Sequence, residues 1–200
     1  MFFKKHVINR KRKKALDEFR KKAVRALHDL IRGTEDRSTQ DLYRVMGQNI
    51  RETPIVFYPR RSIREAIFRA RGRIFGSVTK GEHVHQIQII QKGPQRFLVK
   101  SHYINLPSEH IFDGDRLSID GVFTLAHEYG HFEKAAISEF ASKNRMSEEQ
   151  AEELIADILS AKLCTKMGYD KEHVLSHFAG RGIVYGRVPF EKYILKAVGK

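Results

Sequence analysis

The chain contains a single cysteine and no long apolar segment. Cys164 cannot form an intramolecular disulfide, and it leaves at most one thiolate for a metal site. No apolar run approaches the roughly 18 residues that a membrane-spanning helix needs. Charged residues rather than an apolar segment follow the first three residues, so we expect no signal peptide. These absences predict a cytoplasmic protein. Cys164 follows Leu163 in a predicted helix, where we expect it to be a small buried apolar residue.

Acidic residues are also few relative to basic ones. The chain has 37 lysine and arginine residues against 24 aspartate and glutamate residues, and its net charge is +13. The excess lies in the first half, because residues 1–100 carry a net charge of +16 and residues 101–200 carry −3. A basic segment attracts polyanions, since binding releases their condensed counterions. We therefore predict either contact with nucleic acid, an acidic protein or a membrane surface, or a solvated basic face without a specific partner.

The apolar pattern predicts helices, then a small sheet, then helices again, an order that favours the α+β class. With 200 residues, of which 41% are hydrophobic, the chain fits one domain with or without an appendage. Predicted helices cover about 13–32, 38–52, 62–74, 121–140, 148–167, 170–178 and 189–198. Predicted strands cover 54–59, 84–90 and 97–106, and the last two form an antiparallel pair. We divide the chain into a basic helical region, 1–75, and a second region, 76–200.

The residues with the clearest chemistry form an H-E-x-x-H motif, His127-Glu128-Tyr129-Gly130-His131, on a segment predicted to be helical. Residues four apart share a helix face, so both imidazoles can reach one ion. Two neutral imidazoles at this spacing suit zinc, and Glu128 is placed to act on a water molecule at the metal. Because the chain has 10 histidines, such a motif can also arise by chance. In that case it is a helix with two half-exposed histidines that bind no metal.

The neighbouring sequence supports the metal interpretation. Gly130 weakens a helix by about 1 kcal/mol relative to alanine, which indicates close packing at this position. In the next predicted helix, Glu153 and Asp157 are four residues apart and share a face. Glu153 can serve as a third ligand that leaves one position open for water, and Asp157 can then orient a ligand histidine. Glu149 is the rival ligand, and a solvated acidic helix face is the alternative to a ligand helix.

Two stretches resemble a known family. Residues 123–131 resemble the F-T-L-A-H-E-x-G-H signature of the ImmA/IrrE family of zinc metallopeptidases. Residues 153–157, Glu-x-x-Ala-Asp, resemble the family's second motif, E-x-x-A-N, with Asp157 in place of the usual asparagine. The resemblance is strong over 119–165 and looser over the preceding strand pair.

This resemblance implies a zincin-like core, in which a small antiparallel sheet accompanies an active-site helix and a helix with a glutamate ligand. It implies Zn²⁺ as the cofactor, Glu128 as the catalytic carboxylate, and three metal ligands: His127, His131 and Glu153. Glu128 then takes a proton from the attacking water and passes it to the leaving amine. Family members are bacterial or phage-encoded, and several cleave a repressor or transcription regulator. A phage-encoded member could be virion-associated.

The remaining candidate residues lie around the motif. A donor that steadies the oxyanion is expected downstream, and the candidates are Tyr169, His173, His177, Arg181 and Tyr185. An extended substrate could pair with an exposed strand edge within 97–106. Two further histidine pairs, His83 with His85 and His173 with His177, fit surface or core positions better than a second metal site.

Two functions follow from the sequence. The first is a zinc endopeptidase that acts on one or a few protein substrates. The alternative is a nucleic-acid-associated or structural protein whose zincin fold is incidental and whose basic first half binds polyanions. Both properties can coexist in one chain.

Overall fold

The computed structural model describes residues 8–58, 82–92, 95–131, 137–179 and 190–199. Within these ranges the helices are α1 (Arg10–Arg32), α2 (Arg37–Glu52), α3 (Ser108–Ile111), α4 (Ile119–Tyr129), α5 (Ser138–Asn144), α6 (Glu148–Lys166), α7 (Lys171–Ala179) and α8 (Phe190–Val198). The strands are β1 (Ile55–Tyr58), β2 (Glu82–Lys92), β3 (Gln95–Pro107), β4 (Phe112–Asp113) and β5 (Arg116–Leu117). Helices with small sheets confirm the α+β prediction. The helix predicted over 62–74 lies outside the described residues.

The larger sheet has the strand order β1-β3-β2. β2 pairs along its whole length with β3 as the predicted antiparallel pair, from Glu82↔Asn105 to Lys92↔Gln95. β1 lies on the other side of β3 and runs parallel to it, so the sheet is mixed rather than antiparallel. The apolar pattern could not show this direction, because it depends on a connection of more than thirty residues between the two strands. β1 occupies the second edge of β3 only from Ile104 onward, so the expected free edge is corrected over 104–106 and stays a prediction over 97–103.

Side-chain caps place the ends of the first two helices. Asn9 accepts a hydrogen bond from the backbone N–H of Arg12, so α1 begins three residues before the predicted start. Asp36 accepts from the backbone N–H of Thr39 at 2.8 Å and caps α2, whereas the cap was predicted within 38–41. Asp36 is the N-cap residue, since its backbone is extended and the helix begins with the next residue, Arg37.

The helix predicted over 121–140 is two helices. α4 ends at Tyr129 and Gly130 is its C-cap, while α5 begins only at Ser138. A Cβ atom on residue 130 would lie 3.1 Å from both Cα and the carbonyl oxygen of Ala156 in α6. The close packing expected at Gly130 is therefore confirmed, and it is a contact between the backbones of α4 and α6.

The later helices follow the predictions closely. α6 starts with the expected capping box, in which Ser147 and Gln150 exchange hydrogen bonds with each other's backbone N–H. Cys164 in α6 is buried, as predicted, and burial raises the pKa of its thiol. The short hairpin of β4 and β5 was not predicted, because two-residue strands carry too little alternation to be seen in the sequence.

One hydrophobic core joins the described parts of both predicted regions. It contains Leu16, Phe19 and Leu27 of α1 together with residues of the sheet, α4, α6 and α8. The predicted boundary between residues 75 and 76 falls outside the described residues. None of the helices in the described part of the chain has the length and apolarity needed to cross a membrane.

Two glycines inside helices provide a test of this packing. A Cβ on Gly121 in α4 would lie 2.2 Å from the carbonyl oxygen of Ile111, so Gly121→Ala forces two backbones apart. We expect it to reduce the free energy of unfolding by about 3 kcal/mol. A Cβ on Gly47 in α2 would meet Leu27 at 3.6 Å, an ordinary contact, so Gly47→Ala should be neutral or stabilising by up to about 1 kcal/mol. Urea denaturation measures both, and similar losses in the two variants would contradict the tight contact at Gly121.

Candidate metal centre

The motif lies where the last turn of α4 meets α6. Ser118 caps α4 by accepting from the backbone N–H of Gly121 at 2.8 Å, and all residues from Gly121 to Tyr129 are buried. His127 is in the last helical turn, and His131 comes directly after the C-cap residue. The end of the helix places His131 outside regular α-helical geometry. The two rings nevertheless converge, with their centroids 4.7 Å apart.

Three potential metal ligands meet at this point. Nε2 of His127 lies 3.1 Å from Nε2 of His131 and 3.2 Å from Oε2 of Glu153. One ligand atom from each of the three residues lies within 4.8 Å of the others. Ligand atoms at about 2.0–2.1 Å from a tetrahedral zinc ion are about 3.3–3.4 Å apart, which is close to the two observed separations. The group could therefore hold a metal ion, and the donors fit zinc.

A carboxylate holds the outer nitrogen of each histidine. Nδ1 of His127 lies 2.8 Å from Oδ1 of Asp157, and Nδ1 of His131 lies 3.1 Å from Oε1 of Glu152. The structure places Asp157 where the sequence predicted a residue that orients a ligand histidine. Glu152 was not predicted for the site. Adjacent residues of a helix point about 100° apart around its axis, and Glu153 was already assigned to the side that faces the histidines. Glu152 still reaches the site, since His131 lies beyond the end of α4.

These outer hydrogen bonds determine the state of the inner nitrogens. A carboxylate only accepts, so Nδ1 of each ring is the donor, and Nε2 of a neutral imidazole is then an acceptor. If both rings are neutral, the inner atoms of His127, His131 and Glu153 are three acceptors that face one another. Converging acceptors repel one another unless a cation lies between them, which is the electrostatic reason why this cluster suits a metal ion.

The other two acidic candidates differ in their placement. Glu128 is only 4% exposed and lies next to His127 in the last turn of α4. The structure leaves its role as the catalytic carboxylate a prediction. Glu149, the rival ligand, is exposed on the first turn of α6, whereas Glu153 one turn later joins the cluster.

Side chains of α1 and α2 form hydrogen bonds to the end of the motif. Nδ2 of Asn49 in α2 donates to the carbonyl oxygens of Tyr129 and His131, at 3.3 and 3.2 Å. Arg20 in α1 donates to the hydroxyl of Tyr129 through Nε and Nη2, at 3.3 and 3.2 Å. Burial raises the pKa of Tyr129, and the nearby Arg20 partly offsets this effect. Sequence reasoning missed Asn49 and Arg20, since nothing in their local pattern links them to a motif eighty or more residues away.

The candidates for the oxyanion donor differ in their distance from the motif and in their exposure. Tyr169 and His177 both pack edge-on against Phe123, one turn before His127 in α4, with ring centroids 5.6 and 5.0 Å away. His177 also lies 3.3 Å from a carboxylate oxygen of Asp120. His173 is exposed on α7, as expected for a surface histidine. Arg181 and Tyr185 lie outside the described residues, as do the side chains of His83 and His85 in β2.

The carboxylate at His131 can be tested with a matched pair of variants. We expect Glu152→Ala to weaken Zn²⁺ binding by about 10-fold or more, because Nδ1 of His131 loses its acceptor. Glu149→Ala removes the same charge from an exposed position of the same helix and should leave the affinity unchanged. Competition against a chromophoric zinc chelator measures both dissociation constants. Equal affinities for the two variants would exclude an orienting role for Glu152.

Comparisons with known proteins do not assign the chain to a family. A scan against protein-family models, a search of the curated proteins and a search of the solved structures each found no match. The buried group of His127, His131 and Glu153 is therefore the feature on which a function can be based.

Proposed function

We propose that the chain is a zinc-dependent endopeptidase that hydrolyses peptide bonds of one or a few protein substrates. The observation that carries the proposal is the convergence of His127, His131 and Glu153, with the outer nitrogen of each histidine held by a carboxylate. Three protein ligands of this type leave a fourth position of a tetrahedral site for water or substrate, as catalytic zinc sites do. The resemblance of the two motifs to the ImmA/IrrE family supports the same activity.

The proposed mechanism assigns each nearby carboxylate a separate task. A bound zinc ion supplies Lewis acidity, which makes a water molecule acidic near neutral pH and polarises a peptide carbonyl. Glu128 accepts the proton of the attacking water and donates it to the departing amine. Asp157 and Glu152 accept from Nδ1 of the two ligand histidines. These contacts orient the rings with Nε2 inward and leave Nε2 without a proton. Asn49 and Arg20 hold the end of α4 and thereby the position of His131.

Metal content is the first test of the proposal. We expect purified protein to contain about one zinc ion per chain, and His127→Ala to lose it, because His127 contacts both other ligands of the cluster. Inductively coupled plasma mass spectrometry gives the stoichiometry, and circular dichroism shows whether the variant is still folded. A wild-type protein that stays free of zinc after reconstitution would overturn the proposal.

A second variant separates metal binding from catalysis. Glu128→Gln keeps the size of the side chain but cannot accept the proton, so we expect zinc content to be retained and cleavage to fall by a factor of about 10²–10⁴. Cleavage is followed by mass spectrometry on a mixture of peptides of random sequence, with Glu149→Gln as the control of equal charge. Full cleavage by Glu128→Gln would show that another group is the base.

A further inference from the structure

α1 has one face in the core and one face in solvent. Leu16, Phe19, Ala23 and Leu27 are buried on its inner side, and Phe19 stacks on Tyr129. Packing of this inner face determines the direction and rotation of the helix on the protein. The outer face is therefore a surface of defined shape along the whole helix.

Every exposed residue of this outer face is charged or is a histidine. Eight exposed lysine and arginine residues stand against three exposed acids, Asp17, Glu18 and Asp29. Five of the cations recur at alternating steps of four and seven residues, which places them within about 60° of one another around the helix axis. We call these five the basic stripe: Arg10, Lys14, Lys21, Arg25 and Arg32.

Other cations of α1 have structural contacts outside the basic stripe. Lys11 pairs with Asp115 at 3.4 Å, and Arg12 donates to the carbonyl oxygen of Gly114, which attaches the start of α1 to the β4–β5 hairpin. Lys22 lies over the ring of Tyr169 at 5.2 Å. Within the stripe, Lys14 lies 3.8 Å from Glu18, an exposed contact that contributes little to stability. Within the described part of the chain, Lys21, Arg25 and Arg32 form no ion pair.

We propose that the basic stripe binds the phosphate backbone of double-stranded nucleic acid, independently of the metal centre. The stripe is about 33 Å long, since it spans 22 residues at about 1.5 Å each, and one turn of a DNA duplex is about 34 Å. Asp17 and Glu18 lie beside the stripe, but the outer face keeps a net positive charge, and binding to a phosphate backbone needs no apolar contact.

The same face is less suited to the other polyanions. A helix that binds a membrane inserts its apolar side, but the apolar side of α1 is buried in the core. Stable protein interfaces commonly bury apolar or aromatic anchors at their centre, and the outer face of α1 exposes none. A phosphate backbone is a partner that cations can bind without apolar anchors.

The test is fluorescence anisotropy of the full chain with a labelled 20-base-pair DNA duplex between 50 and 200 mM salt. Five phosphate contacts predict a slope of log affinity against log salt between about −4 and −5, equivalent to roughly 500-fold weaker binding across this range. The double variant Lys21→Gln with Arg25→Gln loses two phosphate contacts, so the magnitude of this slope should fall by about 2. Lys143→Gln with Lys166→Gln removes the same charge from exposed positions of α5 and α6 and should not change the slope.

Two controls complete the experiment. Thermal unfolding should be the same for both double variants, because all four side chains are exposed. Binding should be unchanged by a zinc chelator, which keeps this test separate from that of the peptidase. Equal losses in the two double variants, no binding at 50 mM salt, or binding to phosphatidylserine vesicles without binding to the duplex would each overturn the proposal.

Discussion

The metal cluster depends on the close approach of two helix backbones, where Gly130 at the end of α4 meets Ala156 in α6. A Cβ at position 130 would lie 3.1 Å from the backbone of residue 156, so a side chain there would push the two backbones apart by a few tenths of an ångström. This approach brings His127 within 3.2 Å of Glu153. The same glycine ends α4, which places His131 after the helix and within reach of Glu152. One steric constraint therefore arranges all three potential ligands.

The electrostatics of the cluster follow from the acids around it. Asp157 is fully buried, and Glu128 and His127 are nearly so. A buried carboxylate is stabilised by hydrogen bonds and by nearby positive charge, and Asp157 lies 2.8 Å from Nδ1 of His127. A divalent cation bound among the inner atoms would add positive charge beside these carboxylates. The proposed zinc ion thus accounts for both the geometry and the acidity of the site.

α1 connects the basic half of the chain to the rest of the protein. Its inner face contributes to the core and contacts the motif through Arg20 and Phe19, while its outer face carries the basic stripe. A helix of about 10–12 Å diameter separates these two faces. The basic stripe of α1 and the motif are therefore neighbours in space, although they lie far apart in the sequence.

The sequence alone determined most of the described helices and strands and offered the residue types of the candidate site. Helical periodicity, the capping box at Ser147 and the spacing of His127 and His131 depend on neighbouring residues, so they can be seen without a fold. Tertiary structure decided the parallel pairing of β1, the role of Gly130 as the end of α4, and the contacts of Asn49 and Glu152. Each of these depends on which distant backbone lies alongside, and no local pattern encodes that placement.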